Sequence, residues 1–97
     1  MTRKRQRAQA TQERNRQYVY KFLKSNPCKD CGEPDPVVLQ FDHRDRLQKK
    51  AGVSRLVLDE YSLKVIKNEI DKCDVRCANC HTRKTAKEFK WEILSYK

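Results

Sequence analysis

Two cysteine pairs constrain this chain more than any other feature. Cys28-Lys29-Asp30-Cys31 and Cys77-Ala78-Asn79-Cys80 each leave two residues between thiols. At that spacing a tight turn aims both sulfurs at one ion, and two such pairs complete a tetrahedral Zn²⁺ site. The fold must then bring both pairs together across residues 32–76, a longer insertion than a simple zinc ribbon carries. The chain has 97 residues, which suggests one domain, and a core of that size usually needs disulfides, a metal or oligomerisation. No charged-then-apolar export signal opens the sequence, so a cytoplasmic location is expected, where disulfides rarely persist. Two redox dithiols or an iron–sulfur site are the competing chemistries for the same spacing.

Charge is the second constraint. Lys and Arg number 23 against 13 Asp and Glu, a formal charge of +10. Such an excess suits a polyanion, because basic groups displace counterions from a phosphate backbone; a solubilising surface is the plainer alternative. No apolar run approaches the ~20 residues that span a bilayer, and no long apolar helix face backs the basic residues. A membrane partner is therefore not expected.

Residues 1–16 hold six Arg or Lys and one Glu. They form a basic arm, mobile or the exposed start of a helix, ahead of a domain covering 17–97. Gln12 to Lys24 favours helix, with Tyr18, Val19, Phe22 and Leu23 on one face, and Asn26-Pro27 ends it. Gly32 falls where a knuckle turn often needs positive φ. After the rigid Glu33–Pro36 connector, Val37–Phe41 reads as a strand and residues 44–52 as a turn or loop. Val53–Leu58 fits either a second strand or a short helix. Ser62 caps a helix striped by Leu63, Ile66 and Ile70, with Cys73 continuing that face as a small buried hydrophobe. Ala78 to about Tyr96 reads as helix, striped by Ala86, Phe89 and Ile93, with Trp91 as a packing residue.

The chemistry-bearing residues gather beside this frame. Asp42-His43 ends the predicted strand, and His81 follows the last cysteine in the first turn of the last helix. A carboxylate and two imidazoles converging on one spot suit phosphodiester hydrolysis. Asp42 and His81 are the natural ligands for a hard divalent ion, and His43 can take a proton from water. Adjacent strand residues face opposite ways, so a bend is needed for Asp42 and His43 to share a site. Arg44, Arg46, Arg83, Lys84 and Lys87 are candidates to hold phosphates on either side. Arg3, Lys4, Arg5 and Arg7 of the arm are candidates for nonspecific backbone contact.

Phe41-Asp42-His43, Cys77-Ala78-Asn79-Cys80-His81 with Arg83-Lys84, and Cys28-Lys29-Asp30-Cys31 together resemble the zinc-containing HNH endonucleases of phages and bacterial defence systems. The resemblance covers roughly residues 25–88. It implies an α+β fold, a small zinc-stabilised, treble-clef-like ββα-metal core with flanking helices. It further implies double-stranded DNA as partner and cleavage to a 5′-phosphate and a 3′-hydroxyl. Asp42 matches the family's first metal ligand, for Mg²⁺, Mn²⁺ or a similar ion, His43 the general base and His81 the second ligand. Cys28, Cys31, Cys77 and Cys80 match the structural zinc ligands. The family's middle Asn has no counterpart, because Asp71–Arg76 contains none; Asp74 or backbone groups are expected to tie the loop instead. Two rivals stand beside this reading: a non-catalytic zinc-finger module that binds nucleic acid, and an accessory factor to a phage packaging protein such as terminase.

Overall fold

The computed structural model describes residues 3–90. Helix α1 runs from Arg3 to Ser25, so the basic arm is the first part of one continuous helix. Its apolar face begins at Tyr18 and reaches the buried Leu23. The arm also contributes one residue to the interior. Asn15 is completely buried and donates from Nδ2 to the Tyr61 carbonyl at 3.0 Å. Gln12 Nε2 donates to the Leu58 carbonyl at 2.9 Å. These two amides tie α1 to the turn after the second helix.

The strand begins later than its β-branched run suggests. Asp35 accepts from the Val37 amide and holds Pro36–Val38 in a 3₁₀ turn, leaving Val37 exposed. Strand β1 is Leu39–His43. A further 3₁₀ turn, Arg46–Gln48, follows, capped by Asp45. Val53–Leu58 resolves as helix α2, because Val53, Leu56 and Val57 share a face at helical spacing and all three are buried. Helix α3, Leu63–Ile70, starts at Ser62, whose hydroxyl accepts from the Val65 amide, and buries Ile66, Glu69 and Ile70.

The second strand lies not at Val53–Leu58 but within the stretch read as a loop. Cys73 does not continue the α3 face; it opens strand β2, Cys73–Cys77. β2 pairs antiparallel with β1, with Leu39 opposite Cys77, Asp42 opposite Asp74 and His43 opposite Cys73. Pairing with β1 decides this segment, and the alternation of Cys73, Val75 and Cys77 with polar residues is the matching signal. Helix α4, Ala78–Glu88, follows directly. It ends earlier than expected, at Phe89, with Lys90 at φ +50°. Phe89 is half exposed and lies under the Arg46 guanidinium, 4.4 Å from the ring centre, instead of in an apolar stripe. Trp91 and Ile93 lie outside the described residues.

Among the described residues the result is an α+β arrangement of four helices around a two-stranded antiparallel sheet. Two apolar clusters fill it. One joins Leu23 and Leu39 to Val75 and the cysteine region; the other packs α2 on α3 through Val53, Leu56, Val57, Ile66 and Ile70. Val19, Phe22 and Phe41 touch both clusters and make them continuous. No helix among the described residues is long and apolar enough to cross a membrane. Ile66 has no exposed surface, so Ile66→Ala should cost about 2–5 kcal/mol. Urea unfolding would check this; a loss below about 1 kcal/mol would mean that the α2–α3 layer is loosely packed.

Candidate metal centre and the polar cavity beside it

The two cysteine pairs meet. The Sγ atoms of Cys28, Cys31, Cys77 and Cys80 all lie within 4.8 Å of one another, and those of Cys31 and Cys77 are 3.7 Å apart. A tetrahedral zinc ion with bonds of about 2.3 Å needs sulfurs about 3.8 Å apart, so the four cysteines can hold a metal ion such as zinc. Local backbone geometry builds each half. In the first knuckle Gly32, at φ +79°, donates its amide to the Cys28 carbonyl, and Cys28 donates to Glu33. The Lys29 amide donates to the Val75 carbonyl at 2.8 Å and docks the knuckle on β2. In the second, Cys77 ends β2 and caps α4, its sulfur accepting from the Cys80 amide at 3.4 Å.

The thiols of Cys28, Cys31 and Cys80 differ in how readily they ionise. Burial opposes the Cys28 thiolate, but backbone hydrogen bonds from Cys77, Cys31 and Asp30 outweigh it and bring the group down to about 6. Cys80 is pushed up to about 12, first by its hydrogen bond with Cys77 and then by burial. At Cys31 a backbone bond at Glu33 favours the thiolate, yet the neighbouring sulfurs of Cys28 and Cys77 contribute to a net rise. A cluster that ionises readily once and then resists further ionisation is one whose charge a divalent cation would relieve.

His81 turns away from the sulfurs: its Nδ1 lies 2.7 Å from Gln40 Oε1. With that oxygen accepting, Nδ1 carries the proton. In the neutral ring, Nε2 then presents a lone pair toward Asp42 Oδ1, 3.5 Å away. Two acceptors so placed call for a proton or a cation between them. The other carboxylate oxygen of Asp42 takes Arg76 Nη1 at 2.7 Å and Lys84 Nζ at 3.0 Å. Arg76, nearly buried, also binds Asp30 of the knuckle at 2.8 Å and lies 3.5 Å from Asp74. It thereby separates two carboxylates that the strand register sets opposite each other. Burial works against the Arg76 charge, but Asp30 and Asp42 more than offset it and raise its pKa.

Asp74 ties β2 to the first knuckle and to the residue after β1. It accepts from Lys29 Nζ and from Arg44 Nη1, both at 3.2 Å. Burial opposes its charge, and these two partners hold its carboxyl below the usual range. Arg44 also donates to the carbonyls of Cys73 and Asp71, and its amide to the Lys72 carbonyl. Arg44 therefore serves the loop.

Strand alternation sends His43 the other way, toward α3. Its Nε2 lies 2.7 Å from Glu69 Oε2, the two side chains being 7% and 2% exposed. The same carboxylate takes Lys72 Nζ at 3.0 Å and the Lys50 amide at 3.1 Å. Burial opposes the Glu69 charge, and these donors still hold its carboxyl below the ordinary range. Sequence reasoning missed Glu69, although a signal was present: an acidic residue three positions after Ile66, on the face that α3 buries. It also missed Arg76, Gln40 and Lys49. Cys73 donates from Sγ to the Glu69 carbonyl at 3.4 Å, and burial, then the Glu69 charge, pushes its thiol up to about 11.

Asp42, His43 and His81 nevertheless border one cavity of about 310 Å³, together with Phe41, Arg46 and Lys49. Of the other predicted basic residues, Lys84 bridges Asp42 and Glu88, while Arg83 and Lys87 lie exposed on α4. Arg3, Arg5 and Arg7 are exposed on the first turns of α1. A larger cavity, about 440 Å³ between α1, β1 and α2, is lined mainly by apolar side chains such as Val19, Leu23 and Val57 and contains no acid–base pair. Comparison with protein-family models, curated proteins and solved structures finds no match.

The purified chain should carry about one zinc per molecule by elemental analysis, as a four-cysteine site requires. Cys77→Ser should lose the metal and lower the melting temperature, as should chelation of the wild type. A fully folded chain with no metal and four freely titrating thiols would remove the site.

Proposed function

We propose that this chain is a metal-dependent DNA endonuclease of the HNH type, which hydrolyses phosphodiester bonds. The observation that carries this reading is the single cavity bordered by Asp42, His43 and His81, next to the four-cysteine cluster. The antiparallel β1–β2 pair, with α2 and α3 between its strands and α4 directly after it, supports it, since a ββα-metal core needs two paired strands followed by a helix.

His43 is the general base. A carboxylate only accepts hydrogen bonds, so with Glu69 ionised Nε2 carries the proton, and Nδ1 is the nitrogen that takes a proton from the attacking water. Asp42 Oδ1 and His81 Nε2, 3.5 Å apart, are near the ~3 Å separation of adjacent ligands around an ion bound at about 2.1 Å. Such an ion, Mg²⁺ or Mn²⁺ by the carboxylate–imidazole donor set, would supply charge against a phosphate oxygen and the leaving group. Arg46 and Lys49 on the cavity wall hold the phosphates flanking the scissile bond. Arg83 and Lys87 on α4, with Arg3, Arg5 and Arg7 on the first part of α1, hold the duplex backbone further out; the side chain of Lys4 lies outside the described part of the structure.

A second reading has its own observation. Asp42 already has two cationic partners, and His43 is nearly sealed against Glu69. Both facts suit a zinc-stabilised module that binds nucleic acid without cutting it.

Plasmid incubated with the protein and Mg²⁺, Mn²⁺ or Ni²⁺ separates the two. Nicking or cutting is expected, with His43→Ala slower by about 100-fold or more and zinc content unchanged. Binding without cleavage in every ion would favour the second reading; equal cleavage by both proteins would exclude His43. Independently, replacing Arg3, Arg5 and Arg7 by Gln should weaken duplex binding, measured by anisotropy across a salt series. The slope of log affinity against log salt should flatten by about 0.9 per lost phosphate contact. An unchanged slope would place the duplex elsewhere.

A further inference from the structure

We infer that Glu69 is the positioning residue for His43, fixing which ring nitrogen faces the reaction; the inference rests on the hydrolytic role proposed for His43. Glu69 sits within the buried face of α3, between Ile66 and Ile70. An apolar side chain would fill that place without the cost of burying a carboxylate. What the carboxylate adds is a set of acceptors. Oε2 takes His43 Nε2 at 2.7 Å and the Lys50 amide at 3.1 Å, and Oε1 takes Lys72 Nζ at 3.0 Å. Every one of these partners offers a hydrogen, so the imidazole must present Nε2–H and keep its lone pair on Nδ1.

Nδ1 is not sealed in the core. No buried polar side-chain atom among the described residues lacks a partner, and the ring borders the cavity that also holds Asp42 and His81. Glu69 and the substrate therefore engage opposite nitrogens of one ring, as a buried carboxylate and a substrate do in other acid–base dyads. The lysine and the Lys50 amide hold the carboxylate itself. The loop before α2 and the end of α3 thus both help fix the angle of His43.

Glu69→Gln tests this. The amide must aim its NH₂ either at Lys72 or at His43 and the Lys50 amide, so it cannot satisfy all three donors at once. We expect kcat to fall by about 100-fold or more, since the corresponding acid-to-amide change in a serine-protease triad costs about 10⁴-fold. KM, duplex affinity and zinc content should stay within a few-fold. Nitrogen NMR of the His43 ring should report Nε2–H with a slowly exchanging proton in the wild type. In Glu69→Gln that proton should exchange quickly, or the ring should change tautomer. Ile66→Ala, matched in lost stability and assayed well below its melting temperature, should keep wild-type kcat and the wild-type ring signal.

A Glu69→Gln protein that cuts at the wild-type rate, or that loses no more rate than the Ile66→Ala control, overturns the inference alone. So does a wild-type ring with its proton on Nδ1. A wild-type protein that cuts no DNA overturns the hydrolytic reading and this inference with it.

Discussion

Four sulfur atoms within 4.8 Å of one another set where the end of α1, the end of β2 and the start of α4 meet. Thiols crowded this closely limit their own ionisation: Cys28 is brought down to about 6 while Cys80 is driven up to about 12. A cation bound there would remove that conflict and convert repulsion into a tie across the 32–76 insertion. Further links between the knuckle and the sheet are the Lys29 amide on Val75, Lys29 Nζ on Asp74 and the Asp30–Arg76 pair. All three depend on the register of β2 against the knuckle. With a core of two small clusters joined through Val19, Phe22 and Phe41, there is little apolar surface to hold that register otherwise.

The strand pair converts this frame into two differently served faces. The period-two alternation of β1 gives Gln40 and Asp42 to α4, and Phe41 and His43 to the α3 side. Asp42 joins a network of cations, Arg76 and Lys84. His43 joins a single carboxylate that is itself held by donors. The bend sought from the sequence to bring both side chains to one site is not needed, since both residues border the cavity while their polar atoms bond on opposite sides of the strand pair.

The cysteine spacing alone was enough to anticipate the cluster, and the stripe of Leu63, Ile66 and Ile70 was enough for α3. Asn26-Pro27 correctly ended α1, and Gly32 has the positive φ its place in the knuckle suggested. What stayed hidden depended on partners distant in sequence. The 71–76 stretch reads as a loop, with Cys73 also fitting the next helical step of the α3 face, and only the edge of β1 decides for a strand there. Glu69 and Asn15 carry no local mark of their burial, since nothing near them in sequence reveals that His43 and the Tyr61 carbonyl will meet them in the interior. Arg44 was grouped with phosphate-binding residues on charge alone, whereas Asp74 and three carbonyls claim it. Charge counts place cations on a chain; they do not say which carboxylate reaches them first.

The Asp42 network also determines what must give way if a divalent ion enters beside His81. Two cations already share one carboxylate oxygen, and a third brought within a few ångströms would repel both. Arg76 is poorly placed to leave, because it is nearly buried and its other contacts, Asp30 and Asp74, would lose their common partner. Lys84 is different: it is about one-third exposed, on a flexible stem, and has Glu88 at 2.7 Å as a second anion. A swing of that ammonium fully onto Glu88 would leave Asp42 paired with Arg76 alone and lower the local positive potential without uncovering a buried charge. On the proposed reading, the Lys84–Glu88 pair is thus the adjustable part of a site whose other members are fixed by the fold.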